Sequence, residues 1–590
     1  MEKVNGYSKN QNVQMLIALM LEHGIKRVVV SPGSTHMEIV GGLQYNGNFK
    51  MYSAVDERGA AYMAVGMAAD TGEPVAVICT ESVASRNYYP AITEAYYRQL
   101  PILAITGVHG YEKIGHLHSQ IIDRSISPKD TFRLKVQLPV IKDETDLWES
   151  NVMINRALLE LRRHGGGPVH IDLPWSENMD DFTVKELPCP HIIRRYGVKD
   201  SLPVIPQGKI AVFIGTHPDF DEKCTKAIDK FCAIYDAVVF CGHTSGYKGE
   251  YRVHSALLAF QQSAEYDIFE DIDLLIHIGN PVADEATMRK LKRIKQVWRI
   301  SLDGEIRDTF KKLSAVFEMD DEHFFVYYGT LMEGLVQKNY LQRCLSLKEN
   351  LSYSIDTLPF SNMYASANIA KRLPHNSLIH IGLSTSIRVW GLFEFPCTVR
   401  SCANVGTRGI DGVMSSFLGA SFVNRDILCF CVLGDLTFFY DLNALGNRHI
   451  SNNVRVLLVN DGGGGLFKTS TSRNHKFIGD KDNDAFLGAV GHFGKQSPTL
   501  VKGLAESLGF EYLTASNKEE FNVACERFLI SDMTEKPMIF EIFTKDYEES
   551  KAFDMMANID VTTTGAIKQT VRNILGDDAI KFGKKVFGRK

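Results

Sequence analysis

Two apolar runs in the C-terminal third of the chain end alike. Residues 427–433 (ILCFCVL) lead into Gly434-Asp435, and residues 455–459 lead into Asn460-Asp461 and the four glycines 462–465. The stretch between them, 438–448, reads as a helix, so the segment is a strand–helix–strand unit whose crossover suits a right-handed parallel connection. If the two strands are neighbours, both carboxylates stand at one C-terminal sheet edge, the edge at which open α/β sheets bind ligands. A lone Gly-Asp at a strand end is usually a turn and a glycine run usually a flexible loop, but the joint pattern is much more specific than either piece.

The glycines point to the kind of ligand. Each loses more backbone freedom on ordering than any other residue, so four together need a use. Bare main chain lets N–H and C=O groups approach a diphosphate and a metal with no side chain in the way. Asp435 and Asp461 suit a hard cation such as Mg2+, which takes one or two carboxylates and fills its shell with phosphate and water. The run is not a P-loop, because Gly465-Leu466-Phe467-Lys468 does not supply GxxxxGK[ST]. Nor is it a dinucleotide fingerprint, because the glycines follow the second strand of the unit and not the first.

The same grammar runs through the rest of the chain. Val- and Ile-rich runs at 26–31, 74–80, 101–106 and 168–173 alternate with helical stretches such as 13–23 and 147–163. It restarts at 210–214, 237–241, 273–278 and 296–300, and again at 378–381 and 538–543. Strands alternating with helices argue parallel α/β layers. At 590 residues the chain is too long for one core. The expectation is three consecutive α/β domains at 1–190, 205–335 and 355–548, followed by a basic tail at 549–590. A net charge of -5 gives no field calling for nucleic acid. Eleven cysteines without a CxxC pair read as reduced thiols. The N-terminus lacks a signal-peptide core, and no apolar run approaches the ~20 residues of a membrane span. A cytoplasmic protein is expected.

"GDLTFFYDLNAL" followed by "VNDGGGGLF" resembles the metal–diphosphate motif of thiamine diphosphate (ThDP) enzymes, in the variant of the synthases that make 2-succinyl-5-enolpyruvyl-6-hydroxy-3-cyclohexene-1-carboxylate (SEPHCHC). The likeness extends to "VDERGAAYMAVGMA", "SPGSTHMEIV", "TESVASRNYYPAITEAYYRQLPILAITG" and "GGPVHIDLP" in the first third. It implies the ThDP fold, with pyrimidine-binding, central and diphosphate-binding domains in that order. It implies ThDP and Mg2+ as cofactors. Asp435, Asp461 and the main-chain carbonyl of Gly463 become the metal ligands, and Gly434 and Gly464 join them around the diphosphate. The family carries Asn where this chain has Asp461, a change that adds a negative charge and keeps a metal-binding oxygen. Glu57 matches the family glutamate that hydrogen-bonds the aminopyrimidine, and burial would raise its pKa. Alone, Asp56-Glu57-Arg58 would be only an acidic helix start. Ile410, in "RGIDG", matches the apolar wedge that bends the cofactor. A homodimer or homotetramer is implied, with the first domain of one chain facing the third of another.

The substrate is less legible. Ser384 and Arg388 in "GLSTSIRVW" and Gln120 in "HSQ" match substrate-contacting positions of the SEPHCHC synthases. Their "SPGSR" arginine is replaced at Ser34-Thr35, their "DRP" loop reads Val108-His109-Gly110, and their "NRGASGIDG" loop reads Asn404-Val405-Gly406-Thr407-Arg408-Gly409. Arginine–carboxylate pairs are strong and directional, so such losses change the substrate. His36, His109, His116 and His118 lie on loops expected to face it, as candidates for proton transfer or for a different acceptor. The leading expectation is decarboxylation of a 2-oxo acid with transfer of the acyl carbanion equivalent to an acceptor. Release of an aldehyde, or a ThDP-binding scaffold without turnover, are the alternatives.

Overall fold

A computed structural model describes residues 5–176, 180–264, 266–280, 283–330, 337–469, 472, 474–478 and 481–560. It falls into two compact units, residues 1–202 with 303–318, and 203–302 with 319–590. The architecture is α/β, with three parallel sheets.

The first unit is built on β1 (Arg27–Val30), β2 (Lys50–Ser53), β3 (Val75–Thr80), β4 (Ile102–Val108), β5 (Leu134–Gln137) and β6 (Val169–Pro174), in the order β2-β1-β3-β4-β6-β5. The runs of β4 and β6 are buried from end to end, as expected for strands covered on both faces. Along β3 the side chains alternate. Ala76 and Ile78 join a core with Leu16, Ile17 and Ile171, while Val75, Val77 and Cys79 pack against Ala60, Ala64 and Ile92 on the other face. The unit also holds the parallel pair β7 (Arg194–Gly197) and β13 (Leu313–Glu318). Arg163 ties segment 303–318 into it, bonding Glu305 at 2.9 Å and Glu318 at 3.3 Å.

In the second unit β8 (Ile210–Ile214), β9 (Val238–Cys241), β10 (Arg252–Val253), β11 (Leu274–Ile278) and β12 (Gln296–Ile300) run in the order β10-β9-β8-β11-β12. A further sheet of β14 (Leu378–Ile381), β15 (Arg400–Cys402), β16 (Cys429–Gly434), β17 (Val454–Asn460), β18 (Glu511–Ala515) and β19 (Met538–Phe543) has the order β15-β14-β16-β17-β19-β18. β16 and β17 are the neighbours that the doubled motif requires.

Two expectations change. The crossover from β16 to β17 is not a helix over 438–448. It is a short helix, Asp435–Tyr440, and a 3-10 turn, Leu442–Gly446. Asp441 breaks the run, because its carboxylate accepts the Ser415 N–H at 2.6 Å and hydroxyl at 2.8 Å. The boundary drawn at 548 falls inside the helix Asp546–Ala557, which buries Glu549, Ala552, Phe553, Met556 and Ala557. Gln261 and Gln262 bond the carbonyls of Met556 and Ala557 at 2.9 and 2.8 Å. The basic segment 561–590 lies outside the described residues. Among the described residues no helix is long and apolar enough to cross a membrane.

Candidate active site

In the second unit, Gly434 is in register with Val459 across β16 and β17. The next residue of one strand and the second of the other are Asp435 and Asp461. Asp435 is buried, its side chain turned back onto the Leu436 N–H at 2.7 Å. Burial pushes its carboxyl up to about 7, against the pull of the Leu436, Gly462 and Gly463 amides. Asp461 is pushed well above the usual carboxylate range, by burial first, then by the charges of Asp435, Glu549 and Asp546. These oxyacids share one low-dielectric place, a donor set that fits a hard divalent ion. Among the described residues no three His, Cys, Asp or Glu side chains form a metal cluster, so further oxygens must come from main chain and ligand.

The glycines are needed sterically. A Cβ on Gly465 would fall 2.0 Å from Asp461 Oδ2, and one on Gly463 2.8 Å from the Gly488 carbonyl. Gly464 donates its N–H to that carbonyl, and Gly462 has φ +79. The Gly463 carbonyl accepts the Gly465 N–H at 3.1 Å and keeps a lone pair for a cation. Asn460 points away, donating to Glu541 on β19 at 2.7 Å. Gln496 fastens the loop base by donating to the Asn460 and Thr544 carbonyls at 2.7 and 2.8 Å. A cavity of about 730 Å³ opens beside this edge, with Asp484, Asp546, Lys551 and Asp554 in its wall.

In the first unit, Glu57 begins the helix Glu57–Thr71, capped by Asp56, which accepts the Arg58 and Gly59 N–H groups. Glu57 Oε2 accepts a hydrogen bond from Asn87 Nδ2 at 3.2 Å. The expected burial of Glu57 is not found in the single chain, where it is half-buried. The small residues of its helix divide. Ala60, Ala61, Ala64 and Ala68 pack inward, while Gly66 faces open space beside exposed Tyr62 (46%) and Met63 (50%).

The loops after β1, β3 and β4 converge at this unit's C-terminal edge. Thr35 Oγ1 donates to the Gly107 carbonyl at 2.9 Å, and a Cβ on Gly33 would fall 2.0 Å from Thr80 Cγ2. Ser34, His116, His118 and Gln120 are exposed there. His36 is buried, with its protonation disfavoured by that burial, so it does not face a substrate with the other histidines. His109 is partly buried, edge-on to Trp175 at 4.8 Å.

Ser384 precedes the helix Thr385–Trp390 with φ 67 and ψ -116, and Ser82 precedes Val83–Asn87 with φ 65 and ψ -135. Both serines follow a strand, and both hold a conformation that non-glycine residues rarely adopt. Arg388 and Arg408 meet at Glu285, Arg388 at 3.9 Å, and Arg289 reaches the same carboxylate at 3.4 Å. Ile410 is half-buried. Sequence reasoning missed Glu81, Asn87, Glu285, Asp546 and Glu549. Only Glu81 and Asn87 fall within a stretch already singled out, and no spacing marked them.

Residues 11–126 match the thiamine pyrophosphate enzyme N-terminal TPP binding domain. Over 570 residues the chain is 32% identical to the SEPHCHC synthase of Bacteroides thetaiotaomicron, an alignment covering 92% of this chain and 98% of that protein. It is 31% identical to that of Bacteroides fragilis, with coverage of 92% and 98%. Identity to that of Phocaeicola vulgatus is 29%, with coverage of 91% and 96%.

Proposed function

Since this chain belongs to the family of thiamine diphosphate enzymes that includes the SEPHCHC synthases, as a divergent member, we propose that it decarboxylates a 2-oxo acid and transfers the acyl carbanion equivalent to an acceptor, using ThDP and Mg2+. The observation that carries the proposal is the pair Asp435 and Asp461, at the ends of adjacent strands under a loop of bare main chain.

Asp435, Asp461 and the Gly463 carbonyl would hold Mg2+, and the amides of the glycine loop would face the diphosphate. ThDP, when bound, supplies an electron sink for the loss of CO2. Glu57, steadied by Asn87, would share a proton with the pyrimidine nitrogen through its carboxylate. Arg388 and Arg408, already gathered on one carboxylate, can take a carboxylate of the donor in its place. The changes at Thr35, His109 and Val405 remove arginines that the SEPHCHC synthases use, and they support a different acceptor. A homodimer or homotetramer in the cytoplasm belongs with this reading. The outward face of the helix Glu57–Thr71 is what a second chain would cover.

Calorimetry on apoprotein, with ThDP added with and without Mg2+, tests the binding half. Incubation with 2-oxoglutarate, pyruvate or phosphonopyruvate tests the chemistry, with CO2 and products followed by mass spectrometry. Uptake of ThDP only with Mg2+, CO2 from one donor, and its loss in Glu57→Gln are expected. No ThDP uptake sinks the proposal. Uptake without CO2 from any donor leaves a scaffold, and CO2 with an aldehyde but no C–C product leaves a simple decarboxylase.

A further inference from the structure

At the C-terminal edge of the first sheet, one buried carboxylate holds one histidine by two groups. Glu81, directly after β3, is 4% exposed. Its oxygens accept the backbone N–H of His109, directly after β4, at 3.3 Å each. His109 Nδ1 is in direct contact with Glu81 Oε1. Trp175, from the loop after β6, stands edge-on to the imidazole at 4.8 Å. Glu81 is itself fixed from behind by Arg124 at 3.6 Å, and Arg124 reaches Asp172 of β6 at 3.4 Å. The imidazole thus has Nδ1 against a carboxylate and its ring against an indole.

We infer that Glu81 is a positioning residue that fixes His109 in its Nδ1–H form, so that Nε2 is the proton acceptor for an O–H group of the substrate. The inference rests on the proposed function for the identity of the reaction, but not for the geometry. A carboxylate only accepts, so the nitrogen it touches carries the proton, and the other nitrogen keeps its lone pair. In the step itself the substrate O–H bond breaks and an Nε2–H bond forms. The electron pair stays on the substrate oxygen, and the positive charge of the imidazolium is offset by Glu81. Return of that proton restores the pair.

Every charged neighbour acts in a known sense. Burial, then Lys113 and His118 on the following loop, hold His109 below its ordinary pKa, so it is neutral at pH 7 with a lone pair free on Nε2. Arg124 and the Asp172 behind it belong to the Glu81 side of the pair. Thr35, on the neighbouring loop of the same edge, stands where the family's SPGSR motif has its arginine, and its hydroxyl is turned onto the Gly107 carbonyl. A histidine held in one tautomer replaces a fixed cation, which favours a hydroxyl-bearing substrate over a further carboxylate.

The test uses the full chain with ThDP and Mg2+ and whichever donor releases CO2. His109→Gln is expected to lower kcat by about 100-fold with KM changed less than about threefold. Glu81→Gln is expected to lower kcat by about tenfold and to move the acidic limb of the kcat profile to lower pH, because the imidazolium loses its counter-charge. Glu81→Asp should recover part of the loss. Nitrogen-15 NMR of His109, by difference from His109→Gln, should show the Nδ1–H tautomer in the wild type and a mixture in Glu81→Gln. Wild-type rates and pH profiles in both His109→Gln and Glu81→Gln overturn the inference, as does an Nε2–H tautomer in the wild type. The NMR result stands even if no donor is turned over, so failure of the proposed function and failure of this pair are told apart.

Discussion

Asp435 and Asp461 lie just past the paired ends of two adjacent parallel strands, and the charge of Asp435 adds to burial in driving up the Asp461 carboxyl. Such a pair is adverse for the metal-free fold and favourable once a cation arrives. On the proposed function, Mg2+ and protons would compete for one place.

The contribution of Asp435 and Glu549 to the stability of the metal-free protein should fall as pH rises. Asp435 titrates near 7 when folded against 3.8 ordinarily, and Glu549 is likewise raised to about 7 from 4.5. Between those limits the folded chain holds protons at these two groups that the unfolded chain has released, so their contribution falls as pH rises towards about 7. Buried histidines such as His170 and His380, held below their ordinary pKa, act in the opposite sense, so the comparison is between variants. In thermal melts from about pH 5 to about pH 8, Asp435→Asn should gain most over the metal-free wild type at the alkaline end, where Mg2+ should also stabilise the wild type most. A difference between the two that does not change with pH refutes the pairing.

Two glycine substitutions should part company. A Cβ on Gly463 meets Val490 Cγ2 at 2.7 Å and the Gly488 carbonyl at 2.8 Å, while one on Gly434 meets nothing nearer than the Val459 carbonyl at 4.0 Å. Gly463→Ala should lose about 1–3 kcal/mol of stability and most of its ThDP affinity. Gly434→Ala should melt like the wild type. Paired melts and calorimetry decide it, and equal behaviour of the two variants counts against the loop geometry.

Asn87 donates to Glu57 at 3.2 Å. Without that hydrogen bond, worth about 1 kcal/mol, the carboxylate swings more freely at its helix end. Asn87→Ala should slow CO2 release roughly fivefold, with ThDP affinity little altered. Unchanged turnover shows that Asn87 only fills space.

Glu285 draws Arg289, Arg388 and Arg408 together. Glu285→Gln leaves this cationic group without the carboxylate it shares. The KM for 2-oxoglutarate should then fall relative to that for pyruvate, because the dianion gains most from the uncovered charge. Arg388→Ala should reverse the preference. A constant ratio of the two KM values across these variants removes the arginines from donor recognition.

The strands were the most legible part of the fold. The runs read at 210–214, 296–300, 378–381 and 538–543 match β8, β12, β14 and β19 to the residue, because buried parallel strands are continuous in Val and Ile. The crossover helix failed at Asp441, whose bonds to Ser415 no local pattern announces. The same limit applies to the site. Asp435 and Asp461 are marked by the strand ends they follow. Glu81 and Glu549 act through partners 28 and 187 residues away, His109 and Asn362. Nothing in their own neighbourhood distinguishes them from ordinary acids.

The outward face of the helix that begins at Glu57 bears on how such a molecule behaves in a dilute solution. A glutamate that its own chain covers only in part cannot keep water from the cofactor ring it is meant to serve. If copies associate as proposed, each encounter would supply the missing wall, and specific activity should climb with enzyme concentration until the population is associated.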